Sequence, residues 1–269
     1  MRVICKSFSL QISALVTAML CQAAFQGTVV GQPPADEDSA ETPKPAWLIG
    51  LSKVDVTPTE PVRMAGYGSR DRPSEGVDTP LHVRCLAIQS TQQGEPSVLI
   101  TADTIGLPGS MTRELAVRLR QKHGLERERI VFCSTHTHAG PDLISELSNI
   151  FAIELTDDEI AAGKRYKERM QDAILESVGL ALSDLAPAQL AYDVGEATFA
   201  ANRRVLTDGR WSGFGVQPDG PVDHTVPVLR IRDLSGQLRG VVFNYACHCT
   251  TLGGDHYQIN ACLLYTSPS

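Results

Sequence analysis

The chain has 269 residues, enough for one large domain or two small ones, and its 42% hydrophobic and 20% charged residues are ordinary for a soluble globular protein. A formal net charge of -7 argues against a nucleic-acid partner, whose phosphates call for a basic surface. No apolar run reaches the roughly 18 residues of a membrane span, which leaves peripheral contact as the form any membrane association would take.

The N-terminus carries Arg2 and Lys6, then a small-residue apolar run over 10–25 and the cleavage-site-like Cys21-Gln22-Ala23. This pattern predicts a secretory signal peptide within residues 1–31, and therefore a secreted or periplasmic protein. A lipid anchor at Cys21 is disfavoured, because Leu20 stands where a small residue is expected. Residues 32–46 combine four prolines with a cluster of acids and predict a disordered acidic linker. A folded domain is expected over 47–261. Residues 262–269, CLLYTSPS, read as a non-native tail like a translated sequencing adapter, so Cys262 and Tyr265 carry no weight.

Within the domain, residues 48–56 predict a strand and 64–76 a loop rich in Gly, Ser, Arg and Asp. Residues 82–89 and 97–102 predict two strands joined as a hairpin across the turn at 92–95. Residues 110–123 predict a helix, with Met111, Leu115 and Leu119 on one face and Gly124 as its stop. A strand over 129–134 follows. Thr156 and Glu159 form a capping box that opens a long helix, striped by Met170, Ile174, Val178 and Leu182 and ended by Pro187. Further strands are expected over 190–194, 226–231 and 240–245. The order of elements predicts an α/β fold: a mixed sheet with flanking helices.

Chemistry is concentrated at strand ends. Thr135-His136-Thr137-His138-Ala139-Gly140-Pro141 follows the strand over 129–134. In extended chain, residues i and i+2 share a face, so His136 and His138 should project together. Two such imidazoles can bind one metal ion, or one can bind metal while the other works on substrate. His248 likewise ends an apolar strand and is a plausible third partner. Cys247 and Cys249 should face away from His248, so they and the strand cysteines Cys85 and Cys133 read as buried thiols, with a disulfide open to an exported protein. The competing reading, a non-catalytic exported metal-binding protein, would use Cys247 and Cys249 as ligands. Arg203, beside Arg204, reads locally as solvated, although an arginine near a metal could hold a substrate oxygen. Asp103 ends the strand over 97–102 and could orient a metal-bound imidazole or cap a turn.

Taken in order, residues 49–58, Met64-Ala65-Gly66-Tyr67-Gly68, residues 98–103, the His136–His138 motif, Asn202-Arg203 and residues 243–250 resemble the N-terminal catalytic region of the neutral/alkaline non-lysosomal ceramidases. The resemblance implies a zinc-dependent hydrolase acting on the linear amide of ceramide-like lipids, releasing fatty acid and sphingoid base. It implies zinc ligation by His136 and His248, and substrate contacts from His138 and Arg203. A glutamate and a tyrosine ligand are implied further along than residue 261, so this chain is expected to bind Zn2+ weakly and to be inactive. A relative that cleaves another amide or ester stays open.

Overall fold

The computed structural model describes residues 46–92, 94–143 and 153–262. The expected leader, nearly all of the expected linker and residues 263–269 lie outside them.

The sheet grows from an antiparallel hairpin, β3 (His82–Ser90) and β4 (Ser97–Ala102). Strand β1 (Trp47–Asp55) pairs along the whole outer edge of β3, from Trp47 opposite Ser90 to Asp55 opposite His82. Helix α1 (Gly109–His123) then carries the chain over to β5 (Ile130–Ser134), which lies parallel to β4. On the other side of β1, strands β6 (Ala186–Glu196), β9 (Thr225–Arg232) and β10 (Leu238–Phe243) add antiparallel neighbours. The result is a seven-stranded mixed sheet in the order β10-β9-β6-β1-β3-β4-β5. Two small pairs lie outside it: β2 (Gly76–Val77) with β11 (Gln258–Ile259), and the hairpin β7 (Arg204–Thr207) with β8 (Arg210–Phe214).

The helices form where the apolar stripes predict. In α1 Met111, Leu115 and Leu119 are buried, and Gly124 closes the helix in the left-handed region at φ 69°. The long helix α2 (Asp157–Ser183) starts at the expected capping box, with the Thr156 hydroxyl accepting from the Glu159 amide and the Glu159 carboxylate accepting from the Thr156 amide. The long helix α2 packs across β1 and β3 and against α1, and both stripes join one core in which Val83, Cys85, Val98 and Ile100 lie with Met170, Ile174 and Val178. A smaller cluster of Ile49, Leu86, Ala188 and Ile231 fills the opposite face. Gly50 lets α2 cross β1 closely, since a Cβ there would sit 1.8 Å from the Ala181 carbonyl oxygen.

Several expectations are corrected. Helix α2 ends at Ser183 with Asp184 as its C-cap, and Pro187 belongs to β6, opposite Leu48 near the start of the strand. There Asp184 takes over from the ladder: its carboxylate accepts from Leu51 N–H at 2.8 Å and from Arg239 at 2.6 Å, where β1 and β6 part company. Strand β10 stops at Phe243, two residues short of the expected end. Among the cysteines, Cys85 and Cys249 are buried, Cys133 is exposed and Cys247 half-buried, and Cys85, Cys133 and Cys247 are free thiols.

Candidate metal centre

The parallel pair β4 and β5 opens at its carboxyl end, the usual place for a ligand site in an α/β sheet. His136 leaves β5 in an unusual way. Its backbone lies in the left-handed region at φ 58°, so the shared-face rule for extended chain does not apply there. Two bonds to the loop after β4 hold the residue: its amide donates to the Thr104 carbonyl at 3.0 Å, and its Nδ1 lies 2.6 Å from the Ile105 carbonyl. A carbonyl can only accept, so Nδ1 carries the proton and the Nε2 lone pair faces the site.

His138 reaches the same point by another route. Its ring packs edge-on against Tyr67 with centroids 5.2 Å apart, and its Nδ1 side lies against Gly66. Gly66 has φ 102°, and a Cβ there would come within 2.7 Å of the ring. Only glycine meets both demands. His248 arrives from the coil after β10, which four contacts stitch to the histidine loop. Cys249 O accepts from His138 N–H and Cys249 Sγ donates to Thr135 O; Thr137 Oγ1 donates to Asn260 O and Asn260 N–H to Ala139 O.

The three Nε2 atoms converge, at 3.0 Å between His136 and His248, 3.4 Å between His136 and His138, and 2.7 Å between His138 and His248. Ligand nitrogens about 2.0–2.1 Å from a tetrahedral zinc stand about 3.3 Å apart, so the spacing is close to that of a shared ion. Three imidazole nitrogens in mutual contact cannot all be satisfied by hydrogen bonds among themselves, because each supplies either one proton or one lone pair. A divalent cation held by two of them removes the conflict, and the residues present fit one. His138 is buried, and burial, then the neighbouring His248 and His136, push its pKa down to about 4. Burial also lowers that of His248, helped by His136, Arg203 and Arg204. His138 is therefore neutral well below pH 7, and the His248 shift runs in the same direction, toward the neutral form that ligates.

Arg203 lies at the rim. Its guanidinium contacts the Thr250 hydroxyl and lies 5.9 Å from the Phe214 ring, while Arg204 covers that ring at 5.1 Å. Asn202 sets this arrangement by accepting from Arg204 N–H at 2.9 Å and donating to Pro221 O at 3.1 Å. Arg203 and His248 line a cavity of about 420 Å³ walled by Phe199, Phe214 and Val216.

Two roles that the sequence left open fall away. Cys247 and Cys249 do not join the imidazoles; among the described residues the cluster is His136, His138 and His248 alone. Asp103 touches neither histidine ring. Its fully buried carboxylate accepts from His82 N–H at 2.9 Å and from Arg84 at 3.0 and 3.2 Å. The group that orients His136 is the Ile105 carbonyl, two residues further on, which no side-chain pattern can announce.

Residues 47–261 match the family model described as neutral/alkaline non-lysosomal ceramidase, N-terminal. The chain belongs to this family. It is similar to the neutral ceramidase of Pseudomonas aeruginosa, 24% identical over 219 residues that cover 80% of this chain and 32% of that protein. It is 27% identical over 210 residues to the neutral ceramidase of Mycobacterium tuberculosis, covering 73% of this chain and 31% of that one. In structure it is similar to the crystal structure of the Pseudomonas aeruginosa neutral ceramidase, with a TM-score of 0.67 at 22% identity over 82% of this chain and 34% of that one. A ceramidase complexed with C2 gives a TM-score of 0.65 at 22% identity, over 81% of this chain and 33% of that one. The chain thus spans about a third of the length of the family members it matches.

Proposed function

We propose that the protein is a zinc-dependent amidohydrolase that cleaves the N-acyl amide of ceramide-like lipids to a fatty acid and a sphingoid base. The observation that carries this reading is the convergence of three Nε2 atoms within 3.4 Å of one another. Membership of the ceramidase family, and the names of the relatives, supply the amide and the lipid.

His136 and His248 would hold the ion. When bound, it supplies Lewis acidity and brings the pKa of a water to about 7. His138, neutral and with Nε2 facing the same point, is placed to accept a proton there and to return it to the leaving amine. Arg203 offers fixed donors to the developing oxyanion or to the carboxylate product. The apolar walls from Phe199, Phe214 and Val216 would take the acyl chain and exclude water from the reacting carbonyl.

The leader-like N-terminus supports export to the periplasm or the medium. No helix among the described residues is long and apolar enough to cross a membrane. Leu206, Trp211, Phe214 and Val216 are all more than half exposed on and beside the β7–β8 hairpin, next to Arg203, Arg204 and Arg210, which favours peripheral contact with a lipid surface.

The test is cleavage of a fluorescent N-acyl sphingosine by the full-length gene product, with and without 1,10-phenanthroline. We expect chelation to abolish hydrolysis and added Zn2+ to restore it. Chelator-resistant cleavage would remove the metal from the account. Faster turnover of short amides or esters in a substrate panel would move the substrate away from ceramide.

A further inference from the structure

Arg70 is the most deeply committed side chain near the site that the reading above leaves without a role. It is 1% exposed, in a loop that the sequence marks only as polar. Its Nη1 donates to the carbonyls of Ala65 at 2.6 Å and His138 at 2.7 Å. Its Nη2 donates to His256 O at 3.0 Å, and its Nε to Gly254 O at 3.3 Å. The Tyr67 and Tyr257 rings flank it at 4.9 and 5.9 Å. Among the described residues no carboxylate lies within ion-pair distance of Arg70.

A buried guanidinium without a carboxylate is costly unless its protons meet acceptors. Here four backbone carbonyls provide them, and they belong to three separate segments. One segment holds Gly66 and Tyr67, which seat the His138 ring. The second is His138 itself. The third is the coil that delivers His248. Reinforcing bonds run between the first and third: the Tyr67 hydroxyl donates to Leu252 O at 2.7 Å, and the Tyr257 hydroxyl to the Asp71 carboxylate at 3.0 Å. From behind, Arg63 donates to the Arg70 carbonyl at 2.6 Å and pairs with Glu159 at the start of α2 at 3.4 Å. A planar fork with five donors can join three loops in this way; a lysine ammonium, with three donors on a single nitrogen, cannot span the same acceptors.

We propose that Arg70 is the positioning residue of the metal centre: a guanidinium clamp that sets the loop of His136 and His138 against the coil of His248, so that the three Nε2 atoms meet. It acts through the backbone and touches neither ion nor substrate. The proposal rests on the metal-site reading above, so its test includes a metal-free measurement.

The experiment compares the full chain with Arg70→Met, Arg70→Lys and Leu119→Ala, the last a core variant on α1 that controls for loss of stability. Two quantities are read: the affinity for Co2+, followed by its visible absorption, and the imidazole 15N resonances of the metal-free protein. Arg70→Met should bind Co2+ about 10- to 100-fold more weakly, the range for losing a group that orients ligands. Its His138 and His248 resonances should shift, while Leu119→Ala lowers the melting temperature and leaves both readouts unchanged. Arg70→Lys should fall between, and it stands in if Arg70→Met does not fold. Wild-type affinity and resonances in both Arg70 variants would overturn the clamp, as would an equal loss of affinity in Leu119→Ala. If the unmodified chain binds no Co2+, the metal reading fails separately, and the clamp then stands or falls on the resonances.

Discussion

Replacing His136 or His248 with alanine should weaken Zn2+ or Co2+ binding at least about a hundredfold, more than is lost when only an orienting group is removed. Each ring supplies one of three nitrogens that stand 2.7 to 3.4 Å apart, so either change leaves at most two. The rings are brought by segments 112 residues apart, and no redistribution of nearby side chains restores the donor, because among the described residues no cysteine or carboxylate joins the cluster. His224→Ala is the control: its Nε2 faces the Ala200 carbonyl at 3.4 Å, outside the cluster, and binding should be unchanged. Calorimetric titration of the metal-free variants measures the difference. Stability should move little in these variants, since His136 and His248 are both exposed. Loss of metal with retention of fold is therefore the expected pattern.

Asp103→Ala should have the largest effect on stability, about 3 kcal/mol. The carboxylate is fully buried, and its removal leaves the His82 amide without its acceptor and Arg84 without its partner. An orphaned buried donor costs about 1–3 kcal/mol. Breaking a buried ion pair costs about 3–5 kcal/mol, and here the lower end applies because Arg84 is 34% exposed and can be hydrated. Asp103→Asn keeps an acceptor for the amide and should lose roughly half as much. The effect should also reach the metal centre. Asp103 anchors the start of the segment whose Ala102, Thr104 and Ile105 carbonyls accept from Thr135 N, His136 N and His136 Nδ1. A lower urea midpoint accompanied by weaker Co2+ binding is the expected result. Unchanged binding would show that the segment holds His136 without help from the carboxylate.

How far the sequence could be read follows from the range of each signal. Local signals were legible: the capping box of Thr156 and Glu159, the stripe of Met111, Leu115 and Leu119, the turn between β3 and β4, and the histidine motif at the end of β5. The β7–β8 hairpin carries a local signal too. Its Asp208-Gly209 turn, with φ 52° and 74°, is the dipeptide that favours a tight hairpin turn. Pro187 misled because a proline after a helix reads as its terminator, whereas α2 had already ended and the proline sits early in β6. Other features were beyond any pattern. The β2–β11 pair joins two residues to two others some 180 positions away. Arg70 binds only carbonyls, which every residue carries, and the same holds for the Ile105 oxygen that orients His136. The meeting of His136 and His138 was anticipated for the wrong reason. The chain is not extended at His136; a left-handed residue turns the ring inward.

The central claim is that two imidazoles from distant segments, His136 and His248, share one ion, with the Nε2 of His138 beside it. X-ray absorption at the zinc edge, on the full chain loaded with one equivalent of Zn2+, tests it most directly. A first shell containing two or three imidazole nitrogens at about 2.0–2.1 Å is the expected result, and it should lose one imidazole in His248→Ala. A shell of water oxygens or of cysteine sulfurs at about 2.3 Å would contradict it.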